Sequence, residues 1–249
     1  MPETKPELVL VTGASSDIGV ALVRSLLTAS PHTHVLAHSF RGGERIEALA
    51  AEFPGLITPV QADLSSHEAS EALATHVLAA HGVPTSVVHL PALRLRPERF
   101  TKFDWTLFES DLAVQVGSAV ALLGRLLPKM TKQPRGRIVF MLTSCVHGVP
   151  PKYLSQYTVV KYAQLGLMRA LAAEYAATPV RINAVSPSMV ETQFLSELNE
   201  LAVQGAAASN PLGRNAKPED VVGAILFLLS PAADYISGIT VPIAAGTVT

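Results

Sequence analysis

Two observations in this 249-residue chain predict an α/β fold: a doubly wound parallel sheet of about seven strands, flanked by helices, in a single domain (1–249). Short β-rich apolar runs alternate with longer helical patterns along the whole length. The runs are near-continuously apolar, as expected of strands covered on both faces. Pro and Gly are scattered through short connections, with no internal repeat and no low-complexity linker, which argues against a domain boundary.

In chain order, strand Leu8–Val11 runs directly into Thr12-Gly13-Ala-Ser15-Ser16-Asp17-Ile18-Gly19 and helix Ile18–Ala29. A glycine turn that opens a helix presents free N–H groups and the positive end of the helix dipole, which suits a pyrophosphate, although an ordinary Gly-rich βα turn reads the same way in isolation. Strand Val35–His38, helix Glu44–Glu52, strand Leu56–Gln61, helix Glu68–Ala80 and strand Ser86–Leu90 complete the first half. The second half reads as helix Trp105–Met130, strand Ile138–Thr143, helix Gln156–Ala177, strand Val180–Val185, helix Pro218–Leu229 and strand Ile239–Ile243. Alternation of this kind implies right-handed βαβ crossovers and a Rossmann-type sheet, in which ligands bind beyond the carboxyl ends of the strands. Thr12, Ser144 and Ser186 fall at those ends.

Composition sets the broad class. Apolar residues make up 49% and charged residues 16% of the chain, so a sizeable core is expected. A net charge of -1 gives no reason to expect nucleic acid or an anionic membrane as partner. The single cysteine, Cys145, rules out an internal disulfide framework. The first residues lack the basic-then-apolar order of a signal peptide, and no apolar run approaches the roughly 20 residues that span a bilayer. The expectation is a cytoplasmic protein. His32-Thr-His34 has no accompanying His-Glu-x-x-His or Cys/His spacing, so no metal is expected.

Tyr157-Thr-Val-Val-Lys161 carries the chemistry. Residues at i and i+4 share a helix face, so Lys161 can hold its ammonium near the Tyr157 phenol. A nearby positive charge favours phenolate and lowers the phenol pKa, which suits proton exchange with a reacting oxygen. Ser144, thirteen residues earlier at the end of an apolar run, offers a hydroxyl to the same oxygen. Thr143 stands beside it, and the spacing to Tyr157 favours Ser144.

The phosphate-loop segment, Asp63-Leu64 after the third strand, Ser144, Tyr157…Lys161, Asn183-Ala-Val-Ser-Pro187 and Pro211-Leu-Gly-Arg214 occur in one order along the chain. With them the sequence resembles the short-chain dehydrogenase/reductase family, and its 3-oxoacyl-[acyl-carrier-protein] reductases in overall form. The resemblance implies that Gly13, Ser15, Ser16, Ile18 and Gly19 wrap the dinucleotide phosphates, and that Asp63 and Leu64 flank the adenine. Pro187, Val190 and Thr192 would contact the nicotinamide side. It further implies a hydride passing between nicotinamide and a carbonyl carbon, with Ser144, Tyr157 and Lys161 catalytic and Lys161 also holding the ribose. Gln115 stands where the family keeps a fourth catalytic residue, an asparagine whose backbone carbonyl holds a water connected to the lysine. Segment 189–210 would be a substrate lid, with Met189 and Phe194 on the substrate and His147 lining its pocket. The stretch His38-Ser39-Phe40-Arg41-Gly42 contains no acid to bind a ribose 2′-hydroxyl, and the Arg41 guanidinium suits a 2′-phosphate, so NADP(H) is favoured over NAD(H).

Four departures from the family stand out: Asp17 in the phosphate loop, expected to cap backbone N–H groups; His89-Leu90-Pro91-Ala92, where Pro91 deletes a backbone donor; Gln115; and Ser188 with Ala245-Gly246. The leading expectation is an NADPH-dependent carbonyl reductase acting on a small molecule or an acyl thioester. A 3-oxoacyl chain on an acyl carrier protein, met by Arg135 and Arg137, is one form; a polyketide-type ketone is another. The other class is a dinucleotide-binding regulator with decayed catalysis, against which the Ser144, Tyr157 and Lys161 set argues. The resemblance implies a homodimer or homotetramer joined through helices 105–130 and 156–177.

Overall fold

The computed structural model describes residues 7–41 and 43–247. Seven strands form one parallel sheet in the order β3-β2-β1-β4-β5-β6-β7: β1 Glu7–Thr12, β2 Thr33–Ser39, β3 Ile57–Gln61, β4 Ser86–His89, β5 Gly136–Met141, β6 Val180–Pro187 and β7 Thr240–Ile243. Successive side chains alternate between the two faces. Val9, Val11, Val35, Ala37 and Val139 pack against Leu22 and Leu26 of α1 (Asp17–Ala29), Ile46 of α2 (Glu44–Glu52) and Ile225 of α8 (Pro218–Leu229). Leu10, Leu36, Ile138 and Phe140 pack against α3 (His67–Ala80), α5 (Ser118–Met130) and α6 (Ser155–Glu174) on the other face. Two buried faces explain why the strands read as unbroken apolar runs.

The order of strands reverses between β1 and β4. Their carboxyl ends, Thr12 and His89, are register partners, and the diverging chain opens a crevice above them. Local signals fix the helices that border it. Ser16 caps α1 by accepting from the Gly19 N–H at 3.1 Å, and Asp104 caps α4 (Trp105–Leu112) through Leu107 N–H at 3.0 Å. Each cap contributes about 1 kcal/mol. The expected cap at Asp17 is displaced by Ser16 one residue earlier.

Helix 105–130 is not continuous. Between α4 and α5 it opens into a π turn, Ala113–Gly117. The stretch 105–130 is long and apolar enough to cross a membrane by composition, but Leu122, Leu126 and Met130 are buried against the sheet side of the core. The strand leading to the predicted hydroxyl also ends sooner than expected, at Met141 rather than Thr143. Leu142 and Thr143 continue into a 3-10 turn, Ser144–Val146, capped by the Thr143 hydroxyl. Between β6 and α8, the predicted lid contains a 3-10 turn, Gln193–Leu195, and α7, Glu200–Ser209.

Candidate active site

A cavity of about 760 Å³ runs along the carboxyl edge of the sheet, from the β1–α1 loop past β4 and β5 to segment 187–195. Gly13, Ser15, Ser16, Ile18, Asp63, Leu64, Ser144, Tyr157, Lys161, Pro187, Met189, Val190, Thr192 and Phe194 all line it. One continuous space thus joins the predicted phosphate, adenine, nicotinamide and substrate positions.

The phosphate end is shaped by two glycines. Gly13 has φ +72, and a Cβ there would lie 3.2 Å from Pro91 N. Gly19 does not face the cavity; it lets α1 pack under the loop, because a Cβ would sit 2.6 Å from Ala14 O. Ser16 takes the Gly19 N–H, leaving other first-turn N–H groups of α1 for an anion. These features fit a dinucleotide pyrophosphate. Asp17 also lines the cavity, with its carboxylate engaged: it accepts from Arg45 Nη2 at 2.8 Å and from the Gln193 N–H at 2.7 Å, tying the phosphate loop to segment 189–210.

Arg41 is not part of the wall. Its guanidinium stacks on the Phe40 ring, 4.6 Å from the centroid, and the cation that does line the cavity beyond β2 is Arg45. Asp63 is held below the usual carboxylate range, chiefly by the Ser65 hydroxyl at 2.6 Å and its N–H at 2.9 Å, with a smaller pull from Arg41. His38 closes β2: Gly13 N–H donates to its Nδ1 at 3.2 Å and its Nε2 faces Ala62 O at 3.1 Å. That pairing makes Nε2 the protonated nitrogen. Burial lowers its pKa and keeps the ring neutral.

At the reacting end, Tyr157 lines the cavity and is half-buried, enclosed in part by the surrounding protein. The enclosure pushes the phenol pKa upward; hydrogen bonding to the Thr143 side chain opposes the rise, and Cys145 and Asp111 add to it. The expected lowering by Lys161 is not among these effects, and desolvation dominates. Lys161 Nζ lies 5.8 Å from the Tyr157 ring centroid. It donates to Met141 O at 2.7 Å and to Gln164 Oε1 at 3.2 Å. Burial pushes the lysine down to about 8, against the opposing field of Asp111.

Of the two adjacent hydroxyls, Thr143 is the one that acts on the phenol pKa. With β5 ending at Met141, Thr143 keeps an extended backbone (φ -153, ψ 154), Ser144 begins the following turn, and both line the cavity. His147 is also displaced from its expected place: its Nε2 is 2.8 Å from Ser186 Oγ and it does not line the cavity. Gln115 lies beneath the cavity floor, fully buried in the π turn. Its carbonyl accepts from His89 Nε2 at 3.0 Å and Gln164 Nε2 at 3.4 Å, and its Nε2 donates to Asp111 at 2.6 Å. Asp111 is raised above the carboxylate range by burial.

A family model described as enoyl-(acyl carrier protein) reductase matches residues 13–247. The chain belongs to the short-chain dehydrogenase/reductase family. Members of this group are NAD(P)-dependent oxidoreductases, and this chain is an enzyme of that kind. Among its relatives, it is 30% identical over 244 residues to the 3-oxoacyl-[acyl-carrier-protein] reductase of Pseudomonas aeruginosa, covering 96% of each chain. It is 27% identical to the acetoacetyl-CoA reductase of an Acinetobacter strain, covering 98% of each. A solved structure from Beutenbergia cavernae, assigned as an NAD(P)-dependent gluconate 5-dehydrogenase with bound NADP, superposes with a TM-score of 0.88 at 29% identity and 96% coverage of both chains.

Three wall or floor residues escaped the sequence reading. Arg45 lies beyond the Gly42-Gly43 pair, after which the direction of the chain cannot be read from sequence. Arg94 follows the departure at 89–92. Gln164 did carry a signal: it falls on the buried stripe Val160, Lys161, Leu165, Met168 and Ala172 of α6, where a glutamine is out of pattern.

Proposed function

We propose that this short-chain dehydrogenase/reductase is an NADPH-dependent carbonyl reductase whose substrate pairs an apolar acyl portion with an anionic carrier. The observation that carries the reading is the convergence of the Tyr157 and Thr143 hydroxyls on a cavity that continues to the β1–α1 loop. When bound, a nicotinamide dinucleotide supplies the hydride. A phenol whose pKa is raised stays protonated at neutral pH, which suits it as the acid that protonates the oxygen of a carbonyl being reduced. Thr143 hydrogen-bonds that same oxygen. Two of the three Lys161 protons are spent on Met141 O and Gln164 Oε1, leaving one for the cofactor ribose.

Preference for NADPH rests on Arg45 and on the absence of an acid at the close of β2, where His38, Ser39 and Phe40 stand. The Asp17–Arg45 pair leaves Arg45 at 41% side-chain exposure, enough to turn toward a 2′-phosphate. Replacing it in Arg45→Ala should erode the NADPH/NADH preference at least tenfold, the loss of a charge-assisted contact, whereas Arg41→Ala should change it little.

The substrate end is apolar, with Leu95, Leu154, Met189, Phe194 and Leu195 on its walls, and Arg94 at the rim. That pattern supports an acyl thioester with a phosphate-bearing carrier, the substrate type in the names of the Pseudomonas and Acinetobacter relatives. Arg135 and Arg137 do not serve as its dock: Arg135 pairs with Glu7, Arg137 is buried against Asp234, and both lie at the amino end of β5, the opposite sheet edge. Exposed Val120 on α5 and Val159 and Tyr162 on α6 support a homodimer or homotetramer through those helices. NADPH oxidation measured with acetoacetyl-CoA, a longer 3-oxoacyl thioester and small ketones tests the function. Turnover of the thioesters, with a raised KM in Arg94→Ala, is expected; NADPH binding with no turnover of any carbonyl would overturn it.

A further inference from the structure

Gln164 is fully buried, and an unpaired amide there would carry a desolvation cost that an apolar residue avoids. Both ends of this amide are engaged. Oε1 accepts from Lys161 Nζ at 3.2 Å, and Nε2 donates to the Gln115 carbonyl at 3.4 Å. The same carbonyl accepts from His89 Nε2 at 3.0 Å. A carbonyl oxygen has two lone pairs, so the two side chains fill it. His89 is then the Nε2–H tautomer, with its Nδ1 accepting from the Thr12 hydroxyl at 2.9 Å.

We propose that Gln164 is a positioning residue that fixes the Lys161 ammonium to the π-turn carbonyl of Gln115 by a side chain rather than by solvent. Besides β5, which supplies Met141 O, four elements surround that ammonium. Tyr157 and Gln164 come from α6, Asp111 from α4, Cys145 from the turn after β5 and His89 from β4. Among them only Gln164 bonds the ammonium directly, beside Met141 O. The ammonium therefore depends on one neutral side-chain acceptor, and the identity of that acceptor controls how readily Lys161 gives up its proton.

The inference rests on Lys161 belonging to the reductase site, so the test separates the two. Lysine Cε and Nζ resonances of labelled protein are followed by NMR against pH, with Lys161→Met identifying the signal. In Gln164→Leu the Lys161 midpoint should fall by about one pH unit, the loss of one hydrogen bond to a charged group. In Gln164→Glu, where a carboxylate faces the ammonium, it should rise by at least as much. If turnover is found in the wild type, kcat in Gln164→Leu should drop about tenfold, and its pH profile should move with the lysine. Should Gln164→Leu fail to fold, Gln164→Met refills the space with an unbranched chain and carries the same measurement. A Lys161 midpoint that stays put in both folded variants overturns the proposal, even if the enzyme is active. Absence of turnover in the wild type would sink the reductase reading while leaving the lysine titration to decide this one.

Discussion

Substituting Gly19→Ala probes the packing that shapes the phosphate end. A Cβ at this position would lie 2.6 Å from Ala14 O and 2.7 Å from both Ala14 C and Cα, where ordinary contact begins at 3.4 Å. The helix and the loop must therefore part by about 0.8 Å, and both partners are backbone, with no flexible end to yield. Overpacking of this kind costs about 1–3 kcal/mol, while exchanging a helical glycine for alanine returns up to about 1 kcal/mol. A net loss of up to about 2 kcal/mol lowers Tm by up to roughly 8 °C in a chain of this size. The strain is not confined to stability. Ala14 N–H bonds His38 O at 2.8 Å, so Ala14 cannot retreat without pulling on β2, and relief comes by displacing Gly13–Ser16, the cofactor side. Thermal unfolding and NADPH titration by fluorescence should show both losses, with Kd rising at least tenfold. An unchanged Tm together with unchanged NADPH affinity would refute the close-packing argument.

Three further outcomes follow from the site. Tyr157→Phe should retain NADPH binding and lose about 10²–10⁴-fold in turnover, the usual contribution of a positioned acid; near-wild-type kcat would remove Tyr157 from the reaction. Thr143→Val should cripple turnover while Ser144→Ala leaves most of it, and the reverse ranking would restore Ser144 to the role that spacing alone suggested. His89 is buried and pushed down to about 3 from 6.5. Between those values the unfolded chain takes up a proton that the folded chain refuses, so stability falls as pH drops through this window, by up to about 1.4 kcal/mol per pH unit. Denaturant midpoints measured from about pH 7 to about pH 4 should fall less steeply in His89→Asn; parallel slopes would show that His89 does not carry the effect.

The sheet was legible because a strand buried on both faces leaves an unbroken apolar run, and all seven strands stand where those runs predicted; of the helices, 105–130 is broken by the π turn and α7 was not foreseen. What sequence could not show was the backbone between regular elements. Nothing in Ala113-Val-Gln-Val-Gly117 distinguishes a π turn from an α-helix, since no proline or cap interrupts it. Thr143 and Ser144 are chemically alike, and only the end of β5 decides which hydroxyl reaches the phenol. The sign of the Tyr157 shift was misjudged for a related reason: i, i+4 spacing places a cation nearby, but how far burial outweighs it depends on the atoms that enclose the hydroxyl. Arg41 and Arg45 are four residues apart across a glycine pair, and the stacking of Arg41 on Phe40 left the wall to Arg45.

The π turn has a consequence for how this chain can change. An i→i+5 turn is in effect one residue more than an α-helix needs, so the inserted position bulges between α4 and α5 and frees a carbonyl there. Deleting any one residue within Ala113–Gly117 would let the two merge into a regular helix in the same phase, closing the turn and withdrawing the carbonyl that His89 and Gln164 share. The straightened helix would be better bonded and so favoured under selection for heat resistance, at the expense of the site. Access to that shared carbonyl is thus set by chain length at one turn, a property that substitution scanning alone would not reveal.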